Sequence, residues 1–229
     1  MMARVNGGAR QQLIDAGITL LEQHGRQALQ ARKVAAEVGA STMAVYTHFG
    51  GMTGLIDAIA AEAFARFARA LTEVAQTDDP VADFLAMGIA YRRFALANPQ
   101  RYQLIFGIGS PGEPTDRPDL TVTGTTTDRS DRAVSFEALV NAVRRMIAAG
   151  RIRDDGELPI AGRMWSVIHG TVTLELAGFF GHEGHGPVQV LAPMMLDLLV
   201  GMGDDRDTAT QSMTAAAWLA RDDEPGSVV

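Results

Sequence analysis

Three groups of residues in this 229-residue chain have types and spacings that chemistry can use. Arg32 and Lys33 stand side by side at the head of a short apolar-striped segment. A guanidinium can bond a guanine edge at two points and an ammonium can neutralise a phosphate, so Arg32 is the candidate base contact and Lys33 the candidate phosphate contact. His169 and Glu175 are the parts of an acid–base pair, the alternative being a small helical enzyme. They lie six residues apart, on different faces of a helix, and no nucleophile motif or phosphate loop accompanies them. The run GHEGHG at Gly181–Gly186 holds His182 and His185. Zinc sites favour two histidines on one helix face plus a third ligand. Here glycines flank both histidines and no ligand cluster stands elsewhere by spacing, so a turn is expected rather than a metal site.

The elements that must position these groups follow from periodicity. Between Leu29 and Phe49, Val34, Ala35 and Val38 fall at i, i+1 and i+4, one apolar stripe on a short helix. Gly39 stands where a glycine ends a helix, and Ser41 where a side chain caps the next one, which would carry Thr42 to His48. Two short helices joined by a tight glycine turn make a helix-turn-helix, here about residues 30–49, whose second helix enters a major groove. Val45 and Phe49, four apart, are expected to plug the domain core. A preceding helix is expected over Ala9–His24 and a following long one over Thr53–Ala75. Arg4 and Arg10 can reach a phosphate or a minor groove, although a frayed terminus is the plainer reading.

The continuation VYTHFGGMTGLIDAI, with the Ala-x-x-x-Gly…Tyr-x-His-Phe core that leads into it, resembles the DNA-binding domain of the tetracycline-repressor (TetR-type) family of transcription regulators. The resemblance spans about residues 9–72. It implies a three-helix DNA-binding head in which Thr42, Met43 and Ala44 face the groove, Thr42 bonding a base or phosphate and Met43 and Ala44 touching a thymine methyl. Tyr46 and His48 match the family's phosphate-clasping positions, and Ser41, Thr47 and Thr53 complete the candidate DNA-binding set. The family usually carries a lysine in the turn after the Phe-Gly pair; this chain has Met52 there, and no Lys or Arg follows until Arg66. Somewhat weaker non-specific affinity is expected, with the helix N-terminus and Thr53 standing in for the missing cation.

Thr77-Asp78-Asp79-Pro80 breaks head from body. The body, about residues 80–220, reads as helices over Val81–Ala97, a short segment through Tyr102–Phe106, then Ala133–Ala149, Ile160–Phe180, Pro187–Val200 and Thr208–Leu219. Gly107–Arg132, rich in Gly, Pro, Thr and Asp, is expected to be a long surface loop. Trp165, His169 and Gly170 match the Trp…His-Gly signature of a C-terminal ligand-binding domain type in the same family, here called WHG-like. The resemblance raises Phe84, Met87, Tyr91, Tyr102, Phe106, Val143, Trp165 and His169 as candidate pocket residues; as an unlabelled stripe they read equally well as core. The last two long helices are apolar on nearly every face, more than one protomer's core needs, which makes Val172, Leu176, Phe180, Leu191, Met195 and Leu198 candidate dimerisation residues in a two-fold four-helix bundle.

Composition sets the outer bounds. The chain has no cysteine, which excludes disulfides and thiolate metal sites, and no run of about 18 apolar residues, so a soluble cytoplasmic protein without membrane contact is expected. Its formal charge of −7 is unevenly spread: residues 1–55 carry five basic and three acidic groups, and the rest is strongly acidic. A mildly basic head on an acidic body suits a DNA contact confined to one end. The fold expected is all-α, an N-terminal three-helix helix-turn-helix domain joined by a long helix to a larger helical ligand-binding and dimerisation domain. The function expected is a dimeric regulator, most simply a repressor, released from a palindromic double-stranded operator by a hydrophobic small-molecule effector, with no cofactor and no catalytic residue.

Overall fold

The computed structural model describes residues 8–107, 131–181 and 185–222. The long loop expected within Gly107–Arg132, Arg4 and His182 lie outside the described residues, as to all but the ends of that loop. Every regular element among the described residues is helical, as expected. They group into two compact units, one drawn from residues 1–66 and 97–113, the other from 67–96 and 114–229.

The first unit holds α1 (Ala9–His24), a single 3₁₀ turn at Arg26–Ala28, α2 (Ala31–Glu37), α3 (Thr42–Phe49), the first part of α4 (Met52–Thr72) and α6 (Pro99–Phe106). Its core joins Leu13, Leu21, Val34, Val45, Leu55 and Ile59, one or two apolar anchors from each of α1 to α4, with Leu29 from the segment before α2. Gly54 allows α4 to start close beside α3: a Cβ there would stand 2.0 Å from the Phe49 carbonyl oxygen. Segment α6 falls within the span expected for the body, yet it groups here. Tyr102 and Ile105 are buried, Arg101 pairs with Glu22 of α1, and Phe106 packs edge-on against Phe64 at 5.7 Å. The break at Asn98-Pro99 lets the chain redirect, because Pro disfavours a helical residue before it and suits a helix's first turn.

The second unit holds the end of α4, then α5 (Pro80–Ala97, through Leu96), α7 (Asp131–Ala148), α8 (Glu157–Leu176), α9 (Ala192–Gly201) and α10 (Arg206–Asp222). Phe67 of α4 seats against Tyr91 and Phe94 of α5 at 5.0 and 5.2 Å between ring centroids. Val140, Val143, Met146, Ile160, Met164, Leu199 and Met202 complete the buried interior. Asp79 caps α5 by accepting from the Val81 and Ala82 N–H groups. Arg151, in the turn after α7, bonds both oxygens of the buried Asp204 at 2.8 and 2.9 Å and also reaches Asp79 and Ser212. Helix α8 ends at Leu176 rather than Phe180, since Gly178 turns the backbone to φ +83° two residues on.

The segment expected as one helix over Pro187–Val200 begins with a π turn, Pro187–Leu191, in which the Ala192 N–H reaches back five residues to the Pro187 carbonyl. Pro193 supplies the reason. It has no N–H for the carbonyl four residues earlier and its ring crowds that carbonyl, so the wider turn relieves the clash.

Candidate nucleic-acid interface

The α2–turn–α3 motif is built from short-range chemistry. Gly39 takes φ +67°, and the Ala40 N–H then folds back to the Ala35 carbonyl at 2.8 Å, closing α2. Ser41 occupies the N-cap position with extended backbone, but its hydroxyl makes no capping bond; the Ala44 N–H bonds the Ser41 carbonyl instead. Val45 is fully buried and fixes the rotation of α3 about its axis.

That rotation sorts the candidate DNA residues. Ser41, Thr42, Met43, Tyr46, Thr47 and His48 are exposed, as are Arg32 and Lys33 on α2 and Thr53 on α4. Met43 is 67% and Tyr46 57% exposed, large apolar surfaces held outward on a helix whose other face is anchored. Ala44 differs from its neighbours: it is half-buried and packs on the core. Thr47 donates its hydroxyl proton to the Met43 carbonyl, leaving the oxygen to accept. Met52 is half-buried against the core, so an apolar side chain at this turn is used inward.

Arg10 is the residue that sequence reasoning undervalued. It stands in the first turn of α1, exposed, with its guanidinium carbon 5.1 Å from the centroid of the Phe49 ring at the end of α3. The aromatic ring of an adjacent element supplies what sequence spacing cannot show.

The body has its own concavity, of about 520 Å³. Phe84, Gly88 and Arg92 of α5 and Ile168 of α8 form one side; the π turn, Met195 and the face of α10 carrying Thr210, Met213, Thr214 and Ala217 form the other. Of the expected pocket residues, Phe84 lines this cavity. Met87, Tyr91 and Val143 are buried, while Tyr102 and Phe106 belong to the first unit. Trp165 and His169 form a cluster with Phe136 and Tyr91: the rings of Trp165 and His169 are 5.6 Å apart, and the Tyr91 hydroxyl lies 2.8 Å from His169 Nδ1. The stripe Thr210, Met213, Thr214, Ala217, at i, i+3, i+4 and i+7, is the sequence signal by which the α10 wall could have been found.

His169 and Glu175 do not meet as an acid–base pair. Both Glu175 oxygens accept from Arg92, at 2.8 and 2.6 Å, and His169 bonds Tyr91. His185 is exposed, and no group of three or more potential metal-ligating side chains comes together among the described residues. Of the candidate dimerisation residues, Val172 and Met195 are buried within the chain itself; Leu176, Phe180, Leu191 and Leu198 are half-buried. The large apolar side chains left outside on the same segments are Leu174, Phe179, Val188 and Met194.

Burial lowers the His169 pKa below the ordinary imidazole value of about 6.5. The folded chain therefore favours the neutral ring. Its stabilising effect is complete above pH about 6.5 and declines as pH falls through that value toward the folded-state pKa, because the unfolded chain takes up the proton more readily. The melting temperature should fall between pH 8 and pH 5.5, and His169→Gln should flatten that fall; an unchanged profile in the variant would exclude this role.

An anchored helix-turn-helix whose second helix turns large side chains outward, carried with a helical body, defines a helix-turn-helix transcription regulator. Residues 13–59 match the model for bacterial regulatory proteins of the tetR family, and residues 84–199 match the tetracyclin repressor-like C-terminal domain, a span that includes Trp165, His169 and Gly170. The chain belongs to the TetR family of transcriptional regulators. It is similar to the HTH-type transcriptional regulator Rv1816 of Mycobacterium tuberculosis, 26% identical over 203 residues that cover 75% of this chain and 82% of that protein. Its fold resembles that of a protein of unknown function from Rhodococcus sp. RHA1, with TM-score 0.60 at 25% identity over 97% of this chain and 98% of that one. RolR in complex with resorcinol gives TM-score 0.57 at 16% identity, covering 91% of this chain and 92% of that one, a likeness of fold.

Proposed function

We propose that this regulator is a homodimeric repressor that occupies a palindromic operator and leaves it when a small apolar molecule binds the body. The observation that carries the DNA half is the outward face of α3, with Met43 and Tyr46 exposed on a helix locked by Val45. Arg32 reads a base edge from α2, and Thr42 and Met43 read from the start of α3. Lys33, Ser41, Tyr46, Thr47, His48 and Thr53 hold the backbone, and the half-buried Ala44 spaces the groove face. Arg10 joins the phosphate contacts. Between Lys33 and Arg66 the sequence has no Lys or Arg, and Arg66 is paired with Glu62 and Asp15, so the end of α3 draws its cation from α1.

Dimerisation supports two such heads about 34–36 Å apart, one DNA turn, on a two-fold site. The exposed Leu174, Phe179, Val188 and Met194 support this pairing better than Val172 and Met195, which are already buried. The effector acts only through its different affinities for the DNA-competent and DNA-released states. The apolar body cavity supports that half of the reading.

The test is fluorescence anisotropy of the purified protein on the DNA flanking its own gene, across a salt series. Saturable binding by two protomers per site that survives competitor DNA is expected; binding that never saturates and vanishes with competitor would reject the reading. In the same series, Arg10→Ala should make the slope of log affinity against log salt shallower by about 1.8, one phosphate's worth from each of the two protomers. An unaltered slope would remove Arg10 from the interface.

A further inference from the structure

We infer that the effector of the body cavity is an uncharged, mainly apolar molecule bearing a hydrogen-bond acceptor, selected by a wall that α10 contributes. This rests on the ligand-responsive reading above. The cavity's volume, about 520 Å³, lies within the range of small-molecule sites. Among the described residues its lining contains one charged group, Arg92, and that charge is already balanced: Nε and Nη2 hold the two oxygens of Glu175, whose side chain is only 10% exposed. An anionic ligand at Arg92 would lie beside the Glu175 carboxylate that already neutralises the guanidinium, losing its hydration without a net opposite charge to meet it, and a cationic one would face the guanidinium directly. A neutral ligand disturbs neither. Nη1 has no partner among the described residues, so its N–H groups remain to bond a carbonyl or ether oxygen. The Thr210 and Thr214 hydroxyl protons are committed to the carbonyls four residues back, so α10 offers methyl groups and acceptor oxygens but no free donor.

Helix α10 lies beyond the span matched by the C-terminal family model, residues 84–199. Its rotation is nonetheless fixed. Ser212 donates to Asp79 at 2.6 Å and accepts from Arg151 at 3.1 Å, while Arg93 donates to the Ala220 carbonyl at the far end. Those bonds hold Met213 and its stripe toward the cavity, so selectivity depends on residues that lie outside the matched span.

The experiment is displacement of Nile red from the full-length protein at pH 7.5 by three probes of equal chain length: 2-decanone, decanoate and decylammonium. The ketone should displace the dye at concentrations at least tenfold lower than either ion. Glu175→Gln leaves Arg92 unbalanced and should shift preference toward decanoate by tenfold or more. Met213→Ala lengthens the cavity and should favour 2-dodecanone over 2-decanone, reversing the wild-type order. Equal binding of ketone and decanoate, or a selectivity that neither substitution changes, overturns the inference. So does failure of every probe, the outcome if a second copy of the chain fills the cavity. Operator binding is measured separately: ketone binding without any change in DNA affinity would sink the regulatory reading and leave the ligand class standing.

Discussion

Replacing Arg32 and Tyr46 together by Ala should abolish operator binding while leaving the protein folded and its oligomeric state unchanged. Both side chains are exposed, Tyr46 at 57%, and Arg32 has no carboxylate partner among the described residues. Their removal therefore deletes no core packing and strands no buried charge. A bidentate arginine–guanine contact contributes about 1–3 kcal/mol of discrimination. Loss of Arg32 together with a phosphate-bonding tyrosine should weaken binding by roughly a hundredfold or more, since about 1.4 kcal/mol corresponds to tenfold. Anisotropy titration gives the affinity, sedimentation the assembly state and circular dichroism the melt. Wild-type affinity in the double variant would mean that the α2–α3 face is not the DNA surface.

The second large effect is expected in the body. Arg151→Met removes the guanidinium that holds both oxygens of Asp204, whose side chain is 2% exposed, and that also bonds Asp79 and Ser212. Breaking a buried pair from one side costs about 3–5 kcal/mol because the remaining charge is uncompensated. For a chain of this size each kcal/mol shifts the melting temperature by roughly 2–4 °C, so a fall of at least about 6 °C is expected. Pairing Arg151→Met with Asp204→Asn should recover much of the loss, because the stranded carboxylate is gone. A single variant that melts with the wild type would show that the network contributes little to stability.

The head was legible in the sequence and the cavity was not, for a physical reason. The turn is a local object: Gly39 must take positive φ, Val34 and Val45 must point inward, and the spacing that forces both lies within a dozen residues. The cavity joins Phe84 to Ala217 through three intervening segments, and no periodicity connects them. The aromatic stripe of α5 shows the difficulty. Phe84 and Tyr91 lie on one helical face, yet Phe84 reaches the cavity while Tyr91 turns to His169 and Phe67. Tyr102 and Phe106 share the same apolar signal and pack in the other unit. Val172 and Met195 show the limit of apolar excess as a signal of assembly, because burial within one chain had already used them. Arg10, named as able to reach a phosphate, still read more plainly as part of a frayed terminus, because its partner ring is far away in sequence.

Lys33 is the chain's only lysine, and it is exposed on α2 beside Arg32. Reagents that modify lysine side chains thus have a single target, placed within the proposed operator surface. Every molecule coupled to a sensor chip through its lysine side chain is tethered by the face that is to be measured, and a silent sensorgram from such molecules would report the attachment chemistry rather than the affinity. The same residue gives a one-site footprint: acetylation of Lys33, followed by mass, should slow when operator is added and recover when an effector releases it.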